Sequence, residues 1–209
     1  LHGARKTIGE KVSVDKVISE LEKDSTFYHR SGGGITLSGG EPLFQAAFSA
    51  AILQKAVNMG FHTAMETCGY ADWSWFEKNL QYLDLVYLDI KHMNLSTHRT
   101  LTGKTNDVIL ENIRRLDERF PELDLIIRIP VIPGKNDSDE NMIETARFAK
   151  GLNTVKRIEL LPYHRYGVST YPVVGEEYDL TGLMPPALEH VQRLKALVSS
   201  RGLNVRIGG

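Results

Sequence analysis

The sequence predicts an α/β protein built on a parallel β-sheet, and three observations support this class. Short runs of Val, Ile and Leu alternate with longer stretches that carry apolar residues at helical spacing. The runs are almost continuously apolar, as in strands that helices cover. Glycine, proline or a capping residue separates most of them. A doubly wound sheet and a complete or partial barrel both fit this alternation, so the pattern alone leaves the architecture open.

The first part of the chain predicts three strands and the helices between them. Ser13 is suited to cap a helix, and the segment ITLSG reads as a strand. Pro42 fits the first position of the next helix, where its missing N–H would be unpaired anyway, and Gly60 fits the end of that helix. One face of this helix is expected to carry Phe44, Ala47, Phe48, Ala51 and Ile52. The strands FHTAMET and LDLVYLDIK follow, separated by a helix that Asp72 can cap.

The second part continues the alternation. Asp107 is expected to cap a helix that stops near Pro121, and the strand LIIRIPV follows it. Ser138 is expected to cap the next helix, whose first turn carries two acidic residues that suit the helix dipole. The strand RIELLPY, a last helix from near Pro186 and the strand NVRIG complete the prediction.

Composition excludes several classes of protein. The 209 residues are 42% hydrophobic and 24% charged, with a formal net charge of -1, which is typical of a soluble globular protein. This balance lacks the basic character of a nucleic-acid-binding protein. No apolar signal core or membrane span is visible, so neither nucleic acid nor a membrane is expected as a partner, and a cytoplasmic location is expected. The single cysteine excludes a disulfide framework, and a zinc or iron–sulfur cage, made by these residues alone.

Polar residues gather at the carboxyl ends of the predicted strands, where ligands bind in both candidate architectures. In chain order they are Ser38, Gly39, Gly40, Glu41, Glu66, Thr67, Asp89, Lys91, Arg128, Tyr163 and His164. Charged groups among buried strands are costly unless they are paired or bind something. Because these residues are expected at one rim of the sheet, they predict a ligand site.

Each of these residues also has a structural interpretation. Asp89 and Lys91 share one face of their predicted strand and could form an ion pair, and Arg128 could pair with Glu159 on the next strand. The remaining alternatives are turn capping by Glu66 and Thr67, a loop position for His164, a tight turn at Gly39–Gly40 and a small buried role for Cys68.

Two familiar site types fit poorly. A phosphate-binding loop is excluded because Gly40 stands where that motif requires lysine. A non-radical lyase or aldolase could use Lys91 to form a Schiff base, which needs a lowered lysine pKa. The nearby Asp89 would raise the pKa of Lys91 instead, although this class stays open as an alternative.

Five motifs resemble one known family. The segments SGGGITLSGGEPLFQ, HTAMETCGY, LVYLDIKHMN, RIPVIPGKND and ELLPYHRYG occur in this order. They resemble the activating enzymes of glycyl-radical enzymes, in the radical S-adenosylmethionine (SAM) superfamily, and most closely the pyruvate formate-lyase activating type. The resemblance implies a partial β/α barrel with a [4Fe–4S] cluster, at which reductive cleavage of SAM yields a radical that takes hydrogen from a glycine of a glycyl-radical enzyme. It also implies anaerobic metabolism and a flavodoxin or ferredoxin-type reductant.

The resemblance assigns roles residue by residue. Gly39 and Gly40 match the pair whose backbone holds the amino group of SAM. The other matched SAM-binding positions are Glu66, Asp89, Ile90, Lys91, Arg128 and His164. Glu66, Thr67 and Asp89 match positions that bind a monovalent cation beside the SAM carboxylate, although the family carries Asp where this chain has Glu66.

One departure from the family pattern is large. The family's Cys-x3-Cys-x2-Cys loop should precede SGGGITLSGG, and these residues contain no such loop. The resemblance therefore implies that residues 1–12 end a missing N-terminal or ferredoxin-like region, and that residues 13–209 form a partial barrel lacking the first strand and the cluster loop. Such a fragment is expected to carry no catalytic residue, to be inactive alone and to self-associate through an uncovered sheet edge. A non-catalytic module that docks a partner is a further alternative.

Overall fold

The chain folds around one parallel sheet whose strands lie in sequence order. A computed structural model describes residues 9–166, 171, 175 and 177–208. Within them the strands are β1 (Gly34–Leu37), β2 (His62–Thr67), β3 (Leu85–Asp89), β4 (Asp124–Val131), β5 (Val155–Pro162) and β6 (Val205–Ile207). Each strand pairs in parallel with the next one along the chain. A doubly wound sheet would reverse this order at a switch point, so that alternative is wrong and the partial β/α barrel is confirmed.

Helices connect the strands. In the described residues they are α1 (Val14–Leu21), α2 (Ser25–Ser31), α3 (Ala46–Asn58), α4 (Trp73–Leu80), α5 (Leu95–Thr102), α6 (Asp107–Arg119), α7 (Asp139–Lys150) and α8 (Leu188–Ser199). None of these is both long and apolar enough to cross a bilayer. The short helices α2 and α5 were not predicted from the sequence. The expected tail region, residues 1–12, lies partly outside the described residues, which begin at residue 9.

The predicted caps are confirmed with one exception. The side chains of Ser13, Asp72 and Ser138 accept backbone N–H groups at the starts of α1, α4 and α7. Asp107, in contrast, is the first helical residue of α6, and Asn106 occupies the cap position. The prediction that Asp107 caps this helix is therefore wrong.

The predicted buried face of α3 is also wrong. Pro42–Gln45 form a 3-10 turn before α3 begins, and such a turn has fewer residues per turn than an α-helix. The position of Phe44 around the helix axis therefore differs from that expected for a continuous α-helix, and Phe44 is 91% exposed. The buried residues of α3 are Ala46, Ser49, Ile52, Leu53 and Ala56. Gly60 follows the helix at φ +74°, as its predicted role at the helix end requires.

The two faces of the sheet differ in chemistry. Met65, Val86, Leu88, Leu125 and Ile127 are fully buried in the hydrophobic core with residues of the helices. The side chains that alternate with them, Glu66, Tyr87, Asp89 and Arg128, point to the opposite face and are half-buried. The sheet thus presents a polar face on its central strands. β3 ends at Asp89, so Lys91 lies just past the strand rather than within it.

Candidate functional site

An arginine on β4 joins two carboxylates on the polar face of the sheet. Arg128 Nη1 lies 2.9 Å from Glu66 Oε1 on β2, and Arg128 Nε lies 3.1 Å from Asp89 Oδ1 on β3. The arginine side chain is only 14% exposed, so solvent screens these contacts weakly. Three strands therefore contribute to one charged cluster.

This cluster extends to both sides. Ser38, after β1, donates a hydrogen bond of 2.7 Å to Glu66 Oε2, and Lys91 Nζ lies 3.5 Å from Asp89 Oδ2. Burial alone would raise the pKa of Glu66, but the hydrogen bonds from Ser38 and Arg128 outweigh it and lower that pKa. Burial likewise opposes the charge on Arg128, while Asp89 and Glu66 raise its pKa. Both charged forms are therefore favoured at neutral pH.

Two structural interpretations of these charges can now be judged. The ion pair between Asp89 and Lys91 is confirmed, although at 3.5 Å it is long. The pairing of Arg128 with Glu159 is wrong: Glu159 Oε1 instead accepts a hydrogen bond of 2.7 Å from Arg157 Nε. Arg157 and Glu159 lie two residues apart on one face of β5, so a nearer arginine satisfies Glu159.

The glycine loop after β1 leaves its backbone accessible. Gly39 has φ +106°, which glycine tolerates and other residues rarely adopt. A Cβ atom added to Gly40 would meet no heavy atom of a non-adjacent residue within 4 Å. The φ angle of Gly40 lies outside the range that favours glycine. A ligand could therefore approach this part of the main chain closely.

Glu41 connects this loop to the end of β2, a role that sequence reasoning missed. Its carboxylate accepts hydrogen bonds from Leu43 N at 3.0 Å, from the Thr67 hydroxyl at 2.6 Å and from Cys68 N at 2.8 Å. A glutamate directly before a helix-starting proline was the available signal, because side chains at that position cap helices. The contacts across to β2 depend on the tertiary fold.

Thr67 and Cys68 form hydrogen bonds with Glu41. Thr67 points to the face opposite Glu66, and its hydroxyl also accepts Gly69 N at 3.0 Å, so the turn-capping interpretation is confirmed for Thr67. The structure thus does not bring the Thr67 hydroxyl together with Glu66 and Asp89. Cys68 is half-buried, and burial together with Glu41 raises its pKa to about 11. Its thiol is protonated at neutral pH, which makes it a poor metal ligand.

Two further predicted residues, Ile90 and His164, differ in their surroundings. Ile90 is buried, and its N–H donates 2.9 Å to the carbonyl of Arg128, which ties the chain after β3 to β4. His164 is exposed in the loop after β5, and its ring centroid lies 4.4 Å from that of Tyr166. The loop interpretation of His164 is confirmed. Among the contacts of the described residues, none joins His164 to the charged cluster.

These features define a class of protein: a domain of the β/α-barrel type, with a charged cluster at the carboxyl edge of its sheet, which is the edge where ligands bind in such barrels. The chain belongs to the radical SAM superfamily, whose profile matches residues 4–146. The resemblance to activating enzymes of glycyl-radical enzymes is also confirmed, because relatives are named as the activating enzymes of a sulfite-lyase, a dehydratase and a decarboxylase.

Two curated relatives illustrate the match by sequence. The chain is 48% identical over 171 residues to the isethionate sulfite-lyase activating enzyme of Oleidesulfovibrio alaskensis, a match that covers 82% of this chain and 55% of that protein. It is 37% identical over 212 residues to the trans-4-hydroxy-L-proline dehydratase activating enzyme of Clostridioides difficile, covering 100% of this chain and 69% of that protein. The chain spans 54% to 62% of the length of three isethionate sulfite-lyase activating enzymes that it matches.

A solved structure supports the same placement. The chain is similar to a domain of pyruvate-formate lyase-activating enzyme from Bacteroides vulgatus, with a TM-score of 0.69 and 31% identity. That match covers 85% of this chain and 99% of the solved chain. Sequence and fold therefore point to the same group of enzymes.

Proposed function

We propose that this chain forms the SAM-binding part of an enzyme that activates a glycyl-radical enzyme. The observation that carries the proposal is the charged cluster of Glu66, Asp89, Lys91 and Arg128 beside the open glycine loop, at the carboxyl edge of a radical SAM fold. The names of the relatives support the activating role.

The residues present suit SAM, a sulfonium cation that also carries an amino group and a carboxylate. Gly39 and Gly40 would offer backbone groups to the amino group, since no side chain blocks Gly40. Asp89 would attract positive charge, and Lys91 and Arg128 would attract the carboxylate. His164, whose exposed ring lies on the loop after β5, would contact SAM from that side of the site. When bound, SAM supplies the group that takes a hydrogen atom from the partner's glycine.

The same residues do not suit a [4Fe–4S] cluster. Such a cluster is held by several cysteine thiolates, and these 209 residues contain one cysteine, whose pKa is raised to about 11. The cluster and its flavodoxin or ferredoxin-type reductant therefore belong to the proposal for the whole protein.

A monovalent cation beside Glu66 and Asp89 is part of the proposal as well. Each carboxylate keeps acceptor capacity beyond its contact with Arg128. Within the described ranges, no group of three or more His, Cys, Asp or Glu side chains is placed to hold a metal ion. A cation would therefore rely on two carboxylates and on backbone oxygens. SAM affinity measured in potassium and in tetramethylammonium buffers tests this.

For the partner, a sulfonate-cleaving lyase is better supported than pyruvate formate-lyase. Three isethionate sulfite-lyase activating enzymes are 41% to 48% identical to this chain, whereas the solved pyruvate-formate lyase-activating domain is 31% identical. The full product of the gene, reconstituted with iron and sulfide without oxygen, should generate a glycyl radical on such a lyase in the presence of SAM and a reductant. Electron paramagnetic resonance detects this radical, and a signal on pyruvate formate-lyase alone would reverse the choice of partner.

Calorimetric titration of the 209-residue chain with SAM tests the proposed site directly. Lys91→Ala should weaken binding by about 10-fold, as expected for loss of one charge-assisted contact. Lys156→Ala is the matched control, because Lys156 is exposed and pairs with Asp124 at the start of β4, the opposite edge of the sheet. Equal loss in both variants, or no binding by the unchanged chain, would contradict the proposal. Borohydride trapping of an imine on Lys91 would favour the lyase alternative instead.

A further inference from the structure

Three buried asparagines hold the backbone that leaves β3, over residues Lys91 to Met93. Asn136 Nδ2 donates to the carbonyl of Lys91 at 2.9 Å. Asn106 Nδ2 donates to the carbonyls of His92 and Met93 at 2.9 and 2.7 Å, and Asn141 Oδ1 accepts Met93 N at 2.8 Å. The three asparagines, called the asparagine clamp below, are 2% to 3% exposed.

The clamp draws its members from different parts of the fold. Asn106 precedes α6, Asn136 lies between β4 and α7, and Asn141 lies in the first turns of α7. Asn141 Nδ2 also donates to the carbonyl of Asn136 at 2.8 Å, so two members are joined directly. Asn136 further accepts Ile132 N and donates to the carbonyl of Pro130. The connections after β3 and β4 are thus fixed to each other.

These hydrogen bonds replace the sheet ladder where it ends. β3 stops at Asp89, so the carbonyls of Lys91, His92 and Met93 have no neighbouring strand as a partner. Buried amides with satisfied donors and acceptors hold a backbone in one conformation, and an unsatisfied buried group is costly. The clamp therefore determines where the main chain of Lys91 lies.

The side chain of Lys91, in contrast, is held weakly. It is 35% exposed, and among the described residues its ammonium forms one ion pair, a long one of 3.5 Å with Asp89. A flexible four-carbon side chain with one weak contact depends on its backbone for its position. Displacing the backbone by about 1 Å would shift the region that the ammonium can reach relative to a bound ligand.

We propose that Asn106, Asn136 and Asn141 are positioning residues that place Lys91 for contact with the ligand carboxylate. The inference rests on the proposed function, because it assumes that SAM binds beside Lys91. It assigns the asparagines a role in binding that goes beyond stability.

A double-mutant cycle measured as SAM affinity tests this role. In a chain that keeps Lys91, Asn136→Ala should weaken SAM binding by about 5-fold. In a chain that already carries Lys91→Ala, the same substitution should weaken SAM binding by less than about 2-fold. A buried polar residue at the other edge of the sheet provides the control. Thr63 donates to the carbonyl of Tyr82 near the start of β2, and Thr63→Ala should lower stability without altering affinity.

The outcomes separate the two proposals. One outcome is that the unchanged chain binds SAM and the fold-losses of SAM affinity caused by Asn136→Ala and Lys91→Ala simply multiply in the double variant. In that case the positioning role is wrong while the SAM site stands. If the unchanged chain does not bind SAM, both are wrong. Should Asn136→Ala fail to fold by circular dichroism, Asn106→Ser supplies the second cycle. It removes the donors to His92 and Met93 but leaves the bond from Asn136 to Lys91.

Discussion

Arg128 Nη1 lies 2.9 Å from Glu66 Oε1 although a whole strand, β3, separates the two residues in the sheet. Asp89 lies directly beside Arg128 on the intervening strand and accepts a hydrogen bond from Arg128 Nε. The guanidinium therefore extends past Asp89 to Glu66. One cation therefore neutralises two half-buried carboxylates. Removing Arg128 would leave Glu66 and Asp89 without their shared guanidinium partner.

Arg128→Ala should consequently destabilise the fold by about 3 kcal/mol, the lower end for breaking a buried ion pair, because the carboxylates are partly hydrated. Arg128→Lys should recover only part of the loss, since a lysine ammonium cannot form the two directed contacts. Arg119→Ala is the control: Arg119 is 57% exposed in its pair with Glu77, so solvent screens this pair and it should contribute less than about 1 kcal/mol. Urea denaturation measures all three, and similar losses for Arg128→Ala and Arg119→Ala would refute the bridging role.

The lowered pKa of Glu66 predicts how stability changes with pH. A carboxyl group whose pKa is lower in the folded state stabilises the fold above its unfolded pKa, near 4.3, and loses that contribution as pH falls through the folded value. Glu66→Gln should therefore be less stable than the unchanged protein at pH 7, by about 1 kcal/mol, and the difference should shrink as pH falls from 7 to below the unfolded pKa. Thermal unfolding followed across this range checks the prediction. A difference that does not vary with pH would contradict it.

The glycine loop offers a pair of substitutions that separates folding from binding. Gly40→Ala should change the free energy of unfolding by less than about 0.5 kcal/mol relative to the unchanged protein, because the added methyl group meets open space. It should nevertheless weaken SAM binding, because the methyl group blocks close approach of SAM to the backbone. Gly39→Ala should cost about 1 to 2 kcal/mol, because its φ of +106° strains other residues. Urea unfolding and calorimetric titration measure the two effects. Unchanged affinity in Gly40→Ala would exclude the loop from the ligand site.

Cys68 should react slowly with iodoacetamide. With its pKa raised to about 11, the thiolate fraction at pH 8 is about 100-fold below that of an ordinary cysteine. Alkylation should accelerate as pH approaches 11. Glu41→Gln removes a negative charge that raises this pKa, so the variant should react faster at pH 8. A rate for the unchanged protein equal to that of free cysteine at pH 8 would show that the thiol is not shielded.

The succession of strands and helices along the chain, and most helix caps, could be predicted from local patterns, whereas the order of the strands within the sheet could not. Ser13, Asp72 and Ser138 cap as expected, because capping depends on a residue and the three that follow it. The face of α3 could not be predicted, because the 3-10 turn at Pro42–Gln45 leaves no periodic signal in the sequence.

For the site, the sequence identified the edge and most of its charged residues, but not their partners. Arg128 faces carboxylates on both β2 and β3 and a third, Glu159, on β5, and only the geometry shows that Arg157 takes the last of these. The contacts of Glu41 and those of the asparagine clamp were not predicted, for a related reason. Their contacts join residues far apart in the chain, and a lone Asn or Glu in a loop resembles an ordinary turn residue.

The sequential order of the strands bears on how the chain acquires its fold during synthesis. Each strand finds its partner in the strand made just before it, so pairing closes only the connection between two consecutive strands. A sheet of this kind can grow one β/α unit at a time as the chain leaves the ribosome, without waiting for distant segments. The site matures in the same direction: Ser38 and Glu66 are in place before Asp89 arrives, and Arg128, which balances both carboxylates, comes last of these four.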